Sequence, residues 1–263
     1  MKSTEPGQET DVKVILSSIL DNGVKFFTAA QSHERINNIL LGPLERPALH
    51  WLAVRMPAWV TPDGLTGLGL VAALLIFFSY ALTNLDKNFL WLASFGFVLN
   101  WFGDSLDGTL ARERHIERPR YGFFIDHTLD AFGEVLVFLG IGLSPYVDFN
   151  IASLALIGYM LLSVLVYITT YVNGVFRISY IRLGPTEMRL IAILANTVVY
   201  FLGNPILRLP FGSLSFYNLV ALFLAVLFFG GFIVVTYLQA TELAKIEKVE
   251  KVEKVKKLET IEK

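Results

Sequence analysis

The sequence predicts an all-α, polytopic membrane protein, with six transmembrane helices and an N-terminal interfacial amphipathic helix. Three observations predict it. Of 263 residues, 54% are hydrophobic and only 17% charged, where a soluble domain carries about 25%. The apolar residues gather in runs near 20, the length that spans a bilayer as a helix. Lys and Arg are dense in alternate inter-run segments and sparse in the others, the pattern that sets orientation.

The elements follow in order. Residues 1–30 begin polar, with Glu5, Glu9 and Asp11 before any apolar run. This is no secretory signal peptide, so the first span is expected to act as the insertion signal. A surface helix is expected over Val12–Ala30. Residues 33–56 interleave His33, Glu34, Arg35, Glu45, Arg46 and Arg55 with Leu40, Leu44, Leu49, Trp51 and Val54. That mixture suits a helix lying in the interface plane, broken at Pro43 and Pro47. The spans are then expected at about 64–84, 88–111, 121–143, 151–172, 187–203 and 215–239. Pro62 suits the first turn of the first span, and Asp63 beside it reads as an N-terminal cap. Domain boundaries follow: 1–56 cytoplasmic or interfacial, 57–240 the membrane domain, 241–263 a charged cytoplasmic tail.

Arg112, Arg114, Arg118 and Arg120 lie between spans two and three, and Arg177, Arg182 and Arg189 between four and five. The tail adds seven lysines from Lys245 onward, whereas the opposite side has only Lys87 and Arg208. Both termini are therefore expected in the cytoplasm. The tail repeats Ile246, Val249, Val252, Val255, Leu258 and Ile261. That period of three drifts about 60° per step on an α-helix, so no face stays apolar. A frayed helical extension near anionic lipid is expected. Net charge is −1 and cysteine is absent, which removes disulfides and thiolate chemistry. No nucleic-acid partner is expected.

The chemistry concentrates between Asp104 and Asp130. Asp104, Asp107, Gly108 and Ala111 share one helix face; Gly122, Asp126 and Asp130 stand four apart and form another, which Gly133 extends. An unpaired acid at a bilayer's centre costs about 2.5–3.5 kcal/mol, so four would cost on the order of 10 kcal/mol. Placement at the cytoplasmic mouth, or a bound cation, offsets that. Facing aspartates make an oxygen-only cage for hard divalent cations such as Mg²⁺ or Mn²⁺. Two such ions can clamp a phosphate undergoing displacement. The neighbouring arginines suit an anionic substrate. The set points to phosphoryl transfer on a nucleotide-activated substrate.

The run Asp104-x2-Asp107-Gly108-x2-Ala111-Arg112-x9-Gly122-x3-Asp126-x3-Asp130 resembles the signature of the class I CDP-alcohol phosphotransferase (CDP-alcohol phosphatidyltransferase) family. All eight signature residues stand at family spacing, and the resemblance covers roughly residues 57–240. It implies an enzyme of phospholipid synthesis that passes a phosphoryl-alcohol from a CDP-linked alcohol to an acceptor hydroxyl, releasing CMP. It implies two Mg²⁺ or Mn²⁺ ions on Asp104, Asp107 and Asp126, with Asp130 as general base and as a ligand of the second ion. By similarity, Gly108, Ala111, Arg112 and Gly122 lie at the nucleotide, as do Asp63 and Thr66 at the start of the first span. Family members are often homodimers; this sequence marks no interface.

Some residues carry two readings. His127 is the other candidate base, but on a helix it points about 100° from Asp126. Arg118, Arg177, Arg182 and Arg189 are candidates for an acceptor phosphate or lipid headgroup; topology alone also explains them. Asp126-His127 and Gly184-Pro185-Thr186-Glu187 resemble choline/ethanolamine phosphotransferases, although Thr186 and Glu187 equally fit a capped helix start. Six spans is the size of the prokaryotic enzymes that use CDP-diacylglycerol, so a phosphatidyl donor is favoured over a CDP-amino alcohol acting with a lipid glycerol. An intramembrane prenyltransferase would want a third acid at position 111, which is Ala. A cation transporter would place its acids at midplane, not at one end beside arginines.

Overall fold

The structure, a computed structural model, describes residues 34–36, 40–173, 175–177, 184–209 and 212–261. The expected surface helix over 12–30 lies outside the described residues. The fold is mostly helical, with seven helices among them: α1 Gly42–Arg55, α2 Pro62–Leu82, α3 Phe89–Glu113, α4 Pro119–Leu143, α5 Phe149–Asn173, α6 Pro185–Leu202 and α7 Phe216–Ile261. Each expected span has its helix within a few residues, except that the last helix runs on past the expected end at 239 to Ile261. Among the described residues, three segments are long and apolar enough to cross a membrane: Pro62–Leu82, Phe149–Val172 and Phe216–Lys248. The other three long helices carry charged residues, among them Asp104 and Asp107 on α3, Asp126 and Asp130 on α4, and Glu187 and Arg189 on α6, which lower their hydropathy.

The chain is not purely α-helical. Strands β1 Glu34–Ile36 and β2 Val175–Arg177 pair in parallel; β3 Ile206–Leu209 and β4 Gly212–Ser215 form an antiparallel hairpin between α6 and α7. Gly203, at φ 75°, ends α6, and Gly212, at φ 139°, starts β4. Both are left-handed conformations that glycine adopts without penalty. Sequence periodicity had no purchase on strands three or four residues long.

The prolines of the N-terminal segment do not break its helix. Pro43 occupies the first turn of α1, where no N–H is needed, and α1 continues through Pro47. Its inner face buries Leu49 and Ala53 against Leu65, Leu106 and Leu110, while Leu44, Trp51 and Val54 stay exposed. Such a helix has an apolar outer surface as well as an inner one. Arg114 fixes the turn that follows α1. Its guanidinium donates to the carbonyls of Val60 at 2.5 Å, Pro57 at 2.9 Å and Met56 at 3.0 Å.

The cap of α2 is Thr61, whose Oγ1 accepts from Gly64 N at 3.1 Å. Asp63 does not cap; it pairs with Arg118 instead. α2 is central, packed on α3 and α4. Its approach to α3 is backbone against backbone: a Cβ on Gly103 would stand 2.6 Å from Gly69 N and Leu65 O. At the end away from the acids, Ile76, Tyr80, Leu90, Phe97, Val199 and Tyr217 form a core. Asn196 joins its polar groups. Its Oδ1 accepts from Tyr80 and Tyr217, at 2.9 and 2.5 Å, and its Nδ2 donates to Ser94 Oγ at 3.1 Å. That one amide ties α2, α3, α6 and α7 together. The tail is continuous with the last span, since α7 runs unbroken through 46 residues.

Candidate active site

Three helices converge on the acids. α3 supplies Asn100, Asp104 and Asp107 from its last four turns. α4 supplies Asp126, Asp130 and Glu134, one turn apart on one stripe, and α6 supplies Arg189 just after its N-terminus. Carboxylate oxygens of Asp104, Asp126 and Asp130 all lie within 4.8 Å of one another. An oxygen-only donor set of that size fits a hard divalent cation, so the residues suit the metal site the signature implies. Asp107 lines the same cavity one turn along α3. It is buried; its Oδ2 accepts from Thr66 Oγ1 at 2.6 Å and its Oδ1 from Gly108 N.

The cavity measures about 730 Å³. Asp104, Asp107, Gly108, Arg112, Asp126, His127 and Asp130 line its polar part; Phe138, Leu162, Val166, Leu227, Phe228 and Val235 line its apolar part. One chamber thus joins a carboxylate cluster to a greasy wall formed by α4, α5 and α7. On its floor, Gly108 leaves room that a Cβ would bring to 3.4 Å from the Arg112 guanidinium. Arg112 donates to Thr109 Oγ1 at 3.1 Å.

The remaining expected residues divide. Thr66 reaches the site through Asp107. Asp63 and Arg118 form a half-exposed ion pair, with Arg118 also 4.3 Å over the Tyr121 ring. Ala111 and Gly122 are not among the residues that line the cavity, and the space around Gly122 is open. His127 does line it, stacked on Phe123 at 4.1 Å; its Nδ1 is 2.9 Å from Phe123 O and 3.6 Å from Asp126 Oδ2. Arg177 lies on β2, and Arg182 is outside the described residues.

Sequence reasoning offered Arg189 to an acceptor phosphate or lipid headgroup, not to the acids, and it missed Asn100, Glu134 and Tyr159. Arg189 donates through Nη2 to Asp104 Oδ2 at 2.5 Å and through Nε to Asn100 Oδ1 at 2.8 Å. Its Nη1 is buried without a hydrogen-bond partner among the described residues. It borders a small chamber of about 40 Å³ shared with Asp104, Asp130, Glu134 and Tyr159, enough for one water. Glu134 was legible as the next step of the four-residue spacing from Asp126 and Asp130. Arg189 was legible as a charge inside an apolar run, but its partner was not.

Thr186 does not cap α6 either. Gly184 precedes the helix, and Glu187 returns to accept from Gly184 N at 2.9 Å. Thr186 Oγ1 instead donates to Glu45 Oε1 at 2.7 Å.

Comparison with known proteins points to one family. The family model described as CDP-alcohol phosphatidyltransferase matches residues 59–229. The chain is 40% identical over 88 residues to the phosphatidylinositol phosphate synthase of Cutibacterium acnes, covering 33% of this chain and 39% of that protein. It is 32% identical over 104 residues to the archaetidylinositol phosphate synthase of Pyrococcus horikoshii, covering 40% and 52%. It is 26% identical over 164 residues to cholinephosphotransferase 1 of Danio rerio, covering 59% and 42%. The chain thus spans about two fifths to about half the length of these curated relatives.

Proposed function

Because the chain belongs to the CDP-alcohol phosphatidyltransferase family, we propose that it moves a phosphatidyl group from CDP-diacylglycerol to the hydroxyl of a polyol phosphate, releasing CMP. The observation that carries this reading is a triad of carboxylates opening into a cavity that is polar at one end and apolar at the other. A nucleotide-activated lipid has that same division. The names of the two relatives above 30% identity favour a phosphorylated polyol such as inositol phosphate as acceptor.

In this reading helices α2 to α7 are six membrane spans forming the catalytic domain 57–240, with the site and both termini cytoplasmic. The arginines at 112, 114, 118 and 120, against Lys87 and Arg208 on the other side, support that orientation. Asp104, Asp107, Asp126 and Asp130 would hold two Mg²⁺ or Mn²⁺ ions, which would supply positive charge to offset that of the pyrophosphate. Asp130 takes the proton of the acceptor hydroxyl. The acceptor oxygen then bonds to the lipid-bearing phosphorus, the bridging P–O bond breaks, and the electron pair leaves with CMP. Gly108 lets the nucleotide approach the α3 backbone, with Arg112 beside its phosphates. Arg189 holds Asp104 by a charge-assisted bond, which fixes one carboxylate before substrate arrives. The apolar wall keeps bulk water from competing as acceptor.

A second reading has two observations in its favour. His127 follows Asp126 in the cavity wall, and the similarity to cholinephosphotransferase 1 is spread over more residues than the others. In that reading a CDP-amino alcohol is the donor and a diacylglycerol takes the apolar wall. A matrix of CDP donors against acceptors, with CMP release as readout, separates the two. Divalent-dependent release that disappears in Asp126→Asn is expected. Metal-dependent CMP binding without turnover across the whole matrix would overturn both.

A further inference from the structure

Glu45 lies on α1, outside the family's signature run, and its carboxylate is the meeting point of three helices. Its Oε1 accepts from Trp101 Nε1 on α3 and from Thr186 Oγ1 on α6, each at 2.7 Å. A second carboxylate repeats the connection. Glu187 of α6 is buried, and its Oε1 accepts from Leu41 N at 2.7 Å, at the residue that leads into α1.

The partners of Glu45 are not arbitrary positions. Trp101 follows Asn100 and lies three residues before Asp104; Thr186 lies three residues before Arg189. Asn100 and Asp104 are the two acceptors of the Arg189 guanidinium. The α3–α6 junction that carries the site's arginine–aspartate pair is therefore pinned, one turn away, by a carboxylate from outside both helices. Glu45 and Leu49 also line the large cavity, so α1 is a wall of the chamber and not merely a float on the membrane surface.

We propose that Glu45 is a positioning residue for the transfer reaction. It staples α1 across α3 and α6 so that Arg189 and Asp104 stay in register. This rests on the phosphotransferase reading for its activity readout, but not for its structural one. The physical reasoning is short. Two donors on one oxygen fix both helices relative to α1, whereas Ala at 45 would leave the Trp101 N–H and the Thr186 hydroxyl without that acceptor. Gln would keep an oxygen in the same place and lose only the charge.

The test uses the absence of cysteine in this chain. Two labelling cysteines, Ala48→Cys on the exposed side of α1 and Leu194→Cys on the exposed side of α6, carry spin labels in the purified full chain. Inter-label distance distributions and CMP release are then measured for Glu45→Ala, Glu45→Gln, Trp101→Phe and Thr186→Val. In Glu45→Ala the distribution should broaden and turnover fall by about tenfold or more, chiefly in kcat, as expected when reacting groups lose alignment. Glu45→Gln should restore a narrow distribution and most of the turnover. Thr186→Val, which removes one donor with little change of shape, and Trp101→Phe, which removes the other together with one ring, should fall between and keep the test alive if Glu45→Ala does not fold. A narrow distribution in Glu45→Ala, with or without lost turnover, overturns the staple; so does a Gln variant as impaired as Ala. If the parent chain releases no CMP from any donor, the phosphotransferase reading fails while the distances still decide the staple.

Discussion

Arg189 shows why a residue's role can hide in a sequence that displays its type openly. Its charge counts toward topology, yet its guanidinium is largely buried between Asn100 and Asp104. A lysine there would keep the charge but could not span both acceptors, since an ammonium is a point donor and not a fork. Arg189→Lys should therefore lower CMP release by about 10- to 100-fold while divalent binding, followed by Mn²⁺ titration, weakens only modestly. Asn196 makes the opposite case, a buried polar residue far from the acids whose bonds join four helices. Asn196→Leu would strip the shared acceptor from Tyr80 and Tyr217 and the donor from Ser94. A loss of about 1–3 kcal/mol is expected, read as a lower melting temperature in detergent, with no change in substrate KM for the protein that stays folded.

At the scale of elements, the acid-bearing helices were legible because their chemistry has helical period. Asp104, Asp107 and Gly108 had to share a face, and Asp126 and Asp130 had to form a stripe, whatever packed around them. What joins those stripes was not legible. Thr66 reaching Asp107 and Glu45 reaching Thr186 are contacts across 41 and 141 residues, and no local spacing encodes them. The same limit explains the misread helix starts. Thr61 caps α2 where Asp63 looked the better candidate, because Asp63 is engaged by Arg118 instead. Helix spacing itself is testable at Gly103. A side chain there would meet the α2 backbone at 2.6 Å, and backbone cannot rotate out of the way. Gly103→Val should cost about 1–3 kcal/mol or more by overpacking. It should also reduce turnover, since Asp104 is the next residue. A variant that melts and turns over like the parent would show that α2 and α3 can separate freely.

For the whole molecule, the decisive property is that one end is chemical and the other structural. The acids, Arg189 and the polar half of the cavity gather at the C-terminal end of α3 and the N-terminal ends of α4 and α6. The Asn196 node and the apolar cluster around Tyr80 occupy the far end. Orientation is thus a single question with a single readout. Cysteines introduced singly at Ile116 in the α3–α4 turn and at Leu85 in the α2–α3 turn, both exposed, should label from opposite sides of sealed vesicles. Labelling of both from the same side would refute six crossings. The last helix adds a consequence of its own length. At about 1.5 Å per residue, 46 residues extend roughly 70 Å, more than twice a hydrocarbon core of about 30 Å. The bilayer can swallow only part of such a rod. In the six-span reading proposed above, its remainder would stand off the surface, with its tip held away from the cavity mouth. A fluorophore placed near Ile261 should report a height above the lipid several times that of one placed at Thr241.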